Sequence, residues 1–207
     1  MLSSGAALIV YVLSGISLGL TLVLLTIGAV VMQLRVHRML PAARRAELGR
    51  RIRVGAMAGC VGIVAYDLSR WLLVHFGHFQ FKPFDVFYTF GQAMFGQAIL
   101  GPGHALWAAL TVGIAFHLIN GLGFAMAYTV WAGRRGPLAG MVFALLLQAV
   151  MVAVYPSWLR IQMMGEFLEV SMLGHMAYGA AVGAASQYLL ARRWGIGRGT
   201  SVASGRV

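Results

Sequence analysis

Acidic residues are nearly absent from this chain. Only five carboxylates occur, Glu47, Asp67, Asp85, Glu166 and Glu169, against sixteen basic residues, for a formal net charge of +11. Charged residues of both signs make up 10% of the sequence, where a soluble domain carries roughly 25%. That shortage excludes a well-solvated surface. There is one cysteine, Cys60, which excludes an internal disulfide and any cysteine-based zinc or iron–sulfur centre. Cys60 sits in an apolar run, where a thiol packs as a small hydrophobe. Walker, HExxH, GxSxG and CxxC patterns are also missing, which removes the enzyme classes that depend on them.

What is present is apolar. Hydrophobic residues form 60% of the chain, and mean hydropathy is +0.81. These values predict an all-α integral membrane protein. Five long apolar segments stand out, at 6–34, 54–76, 104–132, 137–156 and 166–191. Each reaches the ~20 residues a helix needs to cross the hydrocarbon. The first has no basic residue before it and is too long for a cleavable signal, so it is expected as a retained span. Residues 1–193 form a single polytopic domain in this reading, and 194–207 a disordered, basic cytoplasmic tail.

The positive charge is arranged along the chain. Thirteen of the sixteen basic residues fall in the first connection, the "GRRG" connection and the tail. Arginine at alternate helix ends is a topology signal, not a nucleic-acid footprint. It predicts five spans in the inner membrane, with a periplasmic N-terminus and a cytoplasmic C-terminus. The second connection is long and aromatic. Phe84, Phe87, Tyr88, Gly91, Met94 and Phe95 recur at helical spacing, which predicts an amphipathic helix near 84–98, lying in the outer interface or over the bundle.

Two hairpins share spacing. "HLINGLGFAMAYTVWAGRR" from His117 and "HMAYGAAVGAASQYLLARR" from His175 align at an offset of 58, and the preceding spans align at an offset of 81. Helices 2–3 and 4–5 are therefore expected as a parallel repeat, related by a two-fold axis along the membrane normal. Gly15/Gly19, Gly55/Gly59 and Gly179/Gly183 are spaced for close helix packing.

The polar residues share one depth. Seventeen residues separate His117 from Arg134, His175 from Arg192 and Arg70 from Arg53, which is ~25 Å of helix. Asp67, Asn120 and Gln148 fall close by. Asp67, Arg70, His117, Asn120, Gln148 and His175 thus form a layer in the outer half of the bilayer. Charges there must face inward and pair, and the i, i+3 spacing of Asp67 and Arg70 permits an ion pair.

Several roles fit such a layer. It serves as structural glue, or as a site for a lipid headgroup, quinone-like ligand or ion in a non-catalytic protein or accessory subunit. Haem or metal ligation by His117 and His175 in an electron-transfer protein is the first alternative. A small proton- or ion-coupled transporter with Asp67 and Arg70 on its pathway is the second. No catalytic residue is assigned. The expected partners are the bilayer, other membrane subunits or further copies of the chain, and no nucleic acid. His104, Glu166, Glu169 and Asp85 are weaker candidates for an outer metal site, with solvated helix ends as the simpler expectation.

Overall fold

The computed structural model describes residues 2–95, 105–159 and 163–192. Among these there are seven α-helices and no strand. They are α1 (Ser3–Ser14), α2 (Leu18–Met39), α3 (Ala42–Gly77), α4 (Val86–Phe95), α5 (Ala105–Ala132), α6 (Gly136–Leu159) and α7 (Met164–Ala191). Four of them, α2, α3, α5 and α6, are long and apolar enough to cross a membrane. Helix α7 is also long, at 28 residues, but carries Glu166 in its first turn and buries Ser171 and Ser186. The tail from 194 lies outside the described residues, as do His104 and residues 96–98 of the proposed interfacial helix.

The first apolar segment does not form one span. It breaks at Gly15, whose left-handed backbone (φ 72°) ends α1 and lets its N–H donate to the Tyr11 carbonyl at 2.9 Å. Only glycine takes that conformation without strain. Ser17 then caps α2, and Thr21 Oγ1 donates to the Ser17 carbonyl at 2.9 Å. The chain folds back on itself, bringing Ser3 Oγ within 3.5 Å of Thr26 Oγ1. Helix α1, at 12 residues, is roughly 18 Å long, too short to cross the ~30 Å hydrocarbon. Gly15 therefore serves a turn, and a Cβ there would meet nothing within 4 Å.

Helix α4 lies within the stretch expected as an amphipathic helix near 84–98. A Cβ on Gly91 would overlap the backbone of Ala109, and one on Gly113 would overlap that of Phe87. Those two contacts set α4 antiparallel along the first half of α5. Phe87 and Phe90 are buried with Leu8, Leu18 and Phe116 in an outer core cluster. The helix is thus packed lengthwise on the bundle, because its two glycine contacts bring backbone against backbone.

The rest is antiparallel helix packing through small residues. Gly55 and Gly59 sit against Met126 and Ala125 of α5, and Gly179 and Gly183 sit against Gly140 and Gly136 of α6. Helix α3 also runs along α7, with Gly62 against Tyr178 and Gly174 against Arg70. Helices α5 and α6 meet at their connection, where the Tyr128 hydroxyl donates to the Gly136 carbonyl at 2.9 Å, and diverge beyond it. An inner core cluster of Ala58, Ile63, Ala125, Tyr128, Ala144, Tyr178 and Val182 fills the centre. By contrast Val23, Leu24, Ile27, Val30 and Val31 of α2 are exposed apolar surface suited to lipid.

Arginines at the start of α3 do more than mark a side. Arg50 Nη1 donates to the Leu190 carbonyl at 3.3 Å, and Arg51 Nη1 to the Val130 carbonyl at 2.9 Å. Both target the last turns of α7 and α5, where helix carbonyls lack intrahelical donors and the macrodipole is negative. Glu47 spans the two guanidinium groups at 2.9 Å each.

Candidate functional site

Five of the six residues of the predicted layer fall into two hydrogen-bonded groups, and the sixth, Asn120, lines the same cavity with its Oδ1 unpartnered. On α3 and α5, Asp67 Oδ1 lies 3.4 Å from Arg70 Nη1, and His117 Nε2 donates to Asp67 Oδ2 at 3.1 Å. The i, i+3 spacing brings the first contact about, and antiparallel packing of α3 on α5 brings the second. Arg70 is 5% exposed. Its Nη2 donates to the Pro83 carbonyl, and its guanidinium lies 4.6 Å from the Tyr66 ring centre and 5.4 Å from that of Phe84. Aromatic faces stabilise a desolvated cation.

On α6 and α7, the Ser171 hydroxyl donates to Gln148 Oε1 at 2.9 Å. His175 Nδ1 donates to the Ser171 carbonyl at 2.8 Å. A carbonyl only accepts, so Nδ1 carries the proton and Nε2 keeps a lone pair. Tyr66 joins the groups, its ring centre 5.8 Å from that of His117 and 5.0 Å from that of His175.

Tyr66, Arg70, His117, Ser171 and His175 border a cavity of about 400 Å³. Arg70, His117, Asn120, Ser171 and His175 form its polar wall, while Ile63, Phe124, Leu147, Met151 and Phe167 form an apolar one. It occupies the space where α5 and α6 diverge. Lys82, Pro83 and Asp85 of the second connection line its outer end, with Thr89 and Phe90 of α4. That connection is held by Arg70 and by Glu166, whose Oε2 accepts the backbone N–H groups of Gln80 and Phe81 at 2.8 Å each. Glu166 is therefore an anchor for the connection, contrary to its expectation as a solvated helix end. Among the described residues no three His, Cys, Asp or Glu side chains gather as metal ligands.

Among the described residues three buried side-chain polar atoms have no hydrogen-bond partner: Arg70 Nε and Asn120 Oδ1, whose residues line the cavity, and Gln148 Nε2, whose residue does not. Buried polar groups are otherwise satisfied in well over nine cases in ten, roughly. Three atoms left over at one level is a local excess.

A family model, the family of unknown function DUF6789, matches residues 49–194. The chain belongs to that family. The DUF6789 stretch takes in α4 to α7 and all but the first turns of α3, so every residue of the polar layer lies inside it and the α1–α2 hairpin lies outside. No curated protein and no solved structure matches the chain.

Sequence reasoning missed Tyr66, Ser171, Tyr178 and the carbonyl of Pro83. Ser171 was findable, since it sits one turn before His175, where a hydroxyl or its carbonyl meets the ring. Tyr178, whose hydroxyl donates to the Gly121 carbonyl at 2.6 Å, carried no signal of its own. Pro83 enters through the path of a connection, which no helical period encodes.

Proposed function

We propose that this is a non-catalytic inner-membrane protein that binds a small amphipathic ligand or lipid in the outer-half cavity. One observation carries the proposal: the 5%-exposed Arg70 presents an unpartnered Nε on the wall of a cavity lined by both polar and apolar side chains. A polar head at that wall and an apolar body against Phe124, Leu147 and Met151 is the complement of such a chamber.

The accompanying topology has five spans, α2, α3, α5, α6 and α7. Helix α7 counts because it packs antiparallel along α6, through Gly179 on Gly140 and Ser171 on Gln148. With arginine-rich ends inside, the α1–α2 turn lies outside, and the C-terminus inside. The repeat is supported by equal heights: Thr129 meets Ser186 at 2.7 Å, and Tyr178 meets Gly121, both close to the sequence offset of 58. It is imperfect, because α3 lies along α7 while α5 and α6 part around the cavity.

The test is extraction. Protein purified in mild detergent is extracted with organic solvent, and the extract compared with that of Met151→Trp, which fills the apolar side. A small molecule present with wild type and depleted from the variant is expected. Equal extracts would remove the binding reading.

A second reading is haem or metal held by His117 and His175. It is favoured by His175, whose Nδ1 proton is fixed on a backbone carbonyl as in many metal-ligating histidines. Against it, the Tyr66 ring packs on both imidazoles, and His117 Nε2 is engaged by Asp67. A Soret band in purified protein would select it.

A further inference from the structure

Given the binding reading above, the atoms left over in the site narrow the class of ligand. Charge comes first. The buried cation, Arg70, already has its anion, since Asp67 lies 3.4 Å away. Asp67 in turn takes the His117 N–H. At the outer lip Lys82 and Asp85 supply one charge of each sign. The wall therefore offers no surplus buried positive charge. A phosphate or carboxylate head would have to share Arg70 with the Asp67 carboxylate, placing like charges together where water is scarce.

Hydrogen-bonding capacity comes second. On the cavity lining one donor is unused, Arg70 Nε, and one acceptor, Asn120 Oδ1. The lone pair on His175 Nε2 adds an acceptor on the cavity wall, because Nδ1 holds the proton. The site thus lacks both a donor and an acceptor but no net charge. A hydroxyl provides both functions from one atom. The apolar wall supplies the third constraint. Phe124, Leu147 and Met151 line the space where α5 and α6 diverge, so a chain attached to that hydroxyl has apolar side chains to lie against.

We propose that the cavity takes a neutral, hydroxyl-headed membrane lipid, with its head among Arg70, Asn120 and His175 and its chain between α5 and α6. Anionic lipids of the same chain length are discriminated against by Asp67. Straight-chain and prenyl alcohols both present this chemistry, and the test includes one of each.

The full-length protein in detergent is titrated with 1-hexadecanol, geranylgeraniol and palmitate, and adducts are counted by native mass spectrometry. At least one alcohol is expected to bind at least tenfold more tightly than palmitate. A straight-chain source is indicated by hexadecanol, a prenyl source by geranylgeraniol, and either supports the proposal. Asn120→Leu removes an acceptor without adding charge and should weaken the alcohol by about three- to tenfold, the range of one net hydrogen bond. Should that variant fail to elute as folded protein, His175→Phe removes the other acceptor on the cavity lining and should weaken the alcohol by a similar factor. Palmitate binding as tightly as the alcohols overturns the hydroxyl class and leaves the cavity's binding role standing. So does an absence of all three adducts in protein whose solvent extract contains a co-purified molecule. No adduct together with an empty extract overturns both.

Discussion

Replacing Asp67 with alanine tests the network at its centre. The Asp67 carboxylate holds Arg70 at 3.4 Å and His117 at 3.1 Å. Its loss leaves a guanidinium with 6% side-chain exposure supported by the Pro83 carbonyl and two ring faces. Breaking a fully buried pair costs about 3–5 kcal/mol. Two features reduce that figure. The Asp67 side chain is 29% exposed, and interhelical polar contacts in membranes average only about 0.6 kcal/mol because the unfolded chain also finds partners there. The lost His117 bond works in the other direction. The expected cost is about 1.5–2.5 kcal/mol, between the average membrane contact and the dry ion pair.

For a chain of this size roughly 2–4 °C of Tm accompanies each kcal/mol. Asp67→Ala should then lower the Tm in detergent by about 3–10 °C, followed by circular dichroism. The paired change, Asp67→Asn with Arg70→Gln, removes both charges and keeps a hydrogen-bonding group beside His117. It should lose less than half as much. Equal melting of wild type and Asp67→Ala, or a paired variant at least as damaged as the single one, would refute the reasoning that charge compensation holds this layer.

Three further outcomes follow from the packing. Gly140→Val drives a side chain into the Gly179 backbone and should abolish the monodisperse peak in size-exclusion chromatography, whereas Gly28→Ala, with nothing within 4 Å, should leave it intact. Arg51→Met removes a donor from the Val130 carbonyl at the end of α5 and should lower the Tm by about 2–4 °C, corresponding to about 1 kcal/mol for one charge-assisted bond at a partly exposed site. A reporter fused at the C-terminus should be active only when cytoplasmic; periplasmic activity would reverse the proposed topology.

Much of the fold was legible because lipid simplifies the code. Long apolar runs announce α3, α5 and α6, and their partner glycines announce which faces touch. The layer of Asp67, Arg70, His117 and His175 was legible from depth alone, since rise per residue converts spacing into height. What escaped is what height does not specify. The "SGIS" stretch at Ser14–Ser17 carries a C-cap glycine and an N-cap serine, yet the surrounding hydropathy masked both signals. The course of residues 78–85 depends on His78, in left-handed backbone at φ 54°, and on Glu166 from the far end of the chain. Neither reads as a pattern in one stretch of sequence.

The inner and outer halves of the bundle use polar groups differently, and the contrast bears on whether the outer layer is merely glue. Inside, Thr129 bonds the Ala125 carbonyl and Ser186, Tyr128 bonds Gly136, and Tyr178 bonds Gly121. Each of these hydroxyls has a partner, and the bonds tie α5 to α7 and to the start of α6. That is how polar groups behave when their task is register. In the other half Arg70 Nε and Asn120 Oδ1 are unmatched beside a cavity of about 400 Å³, and Gln148 Nε2 is unmatched behind it. Glue that leaves its own donors and acceptors idle adds desolvation cost without return, about 1–3 kcal/mol for each such group. The same chain completes its hydrogen bonds a few turns away, and that contrast is what the proposed ligand would account for.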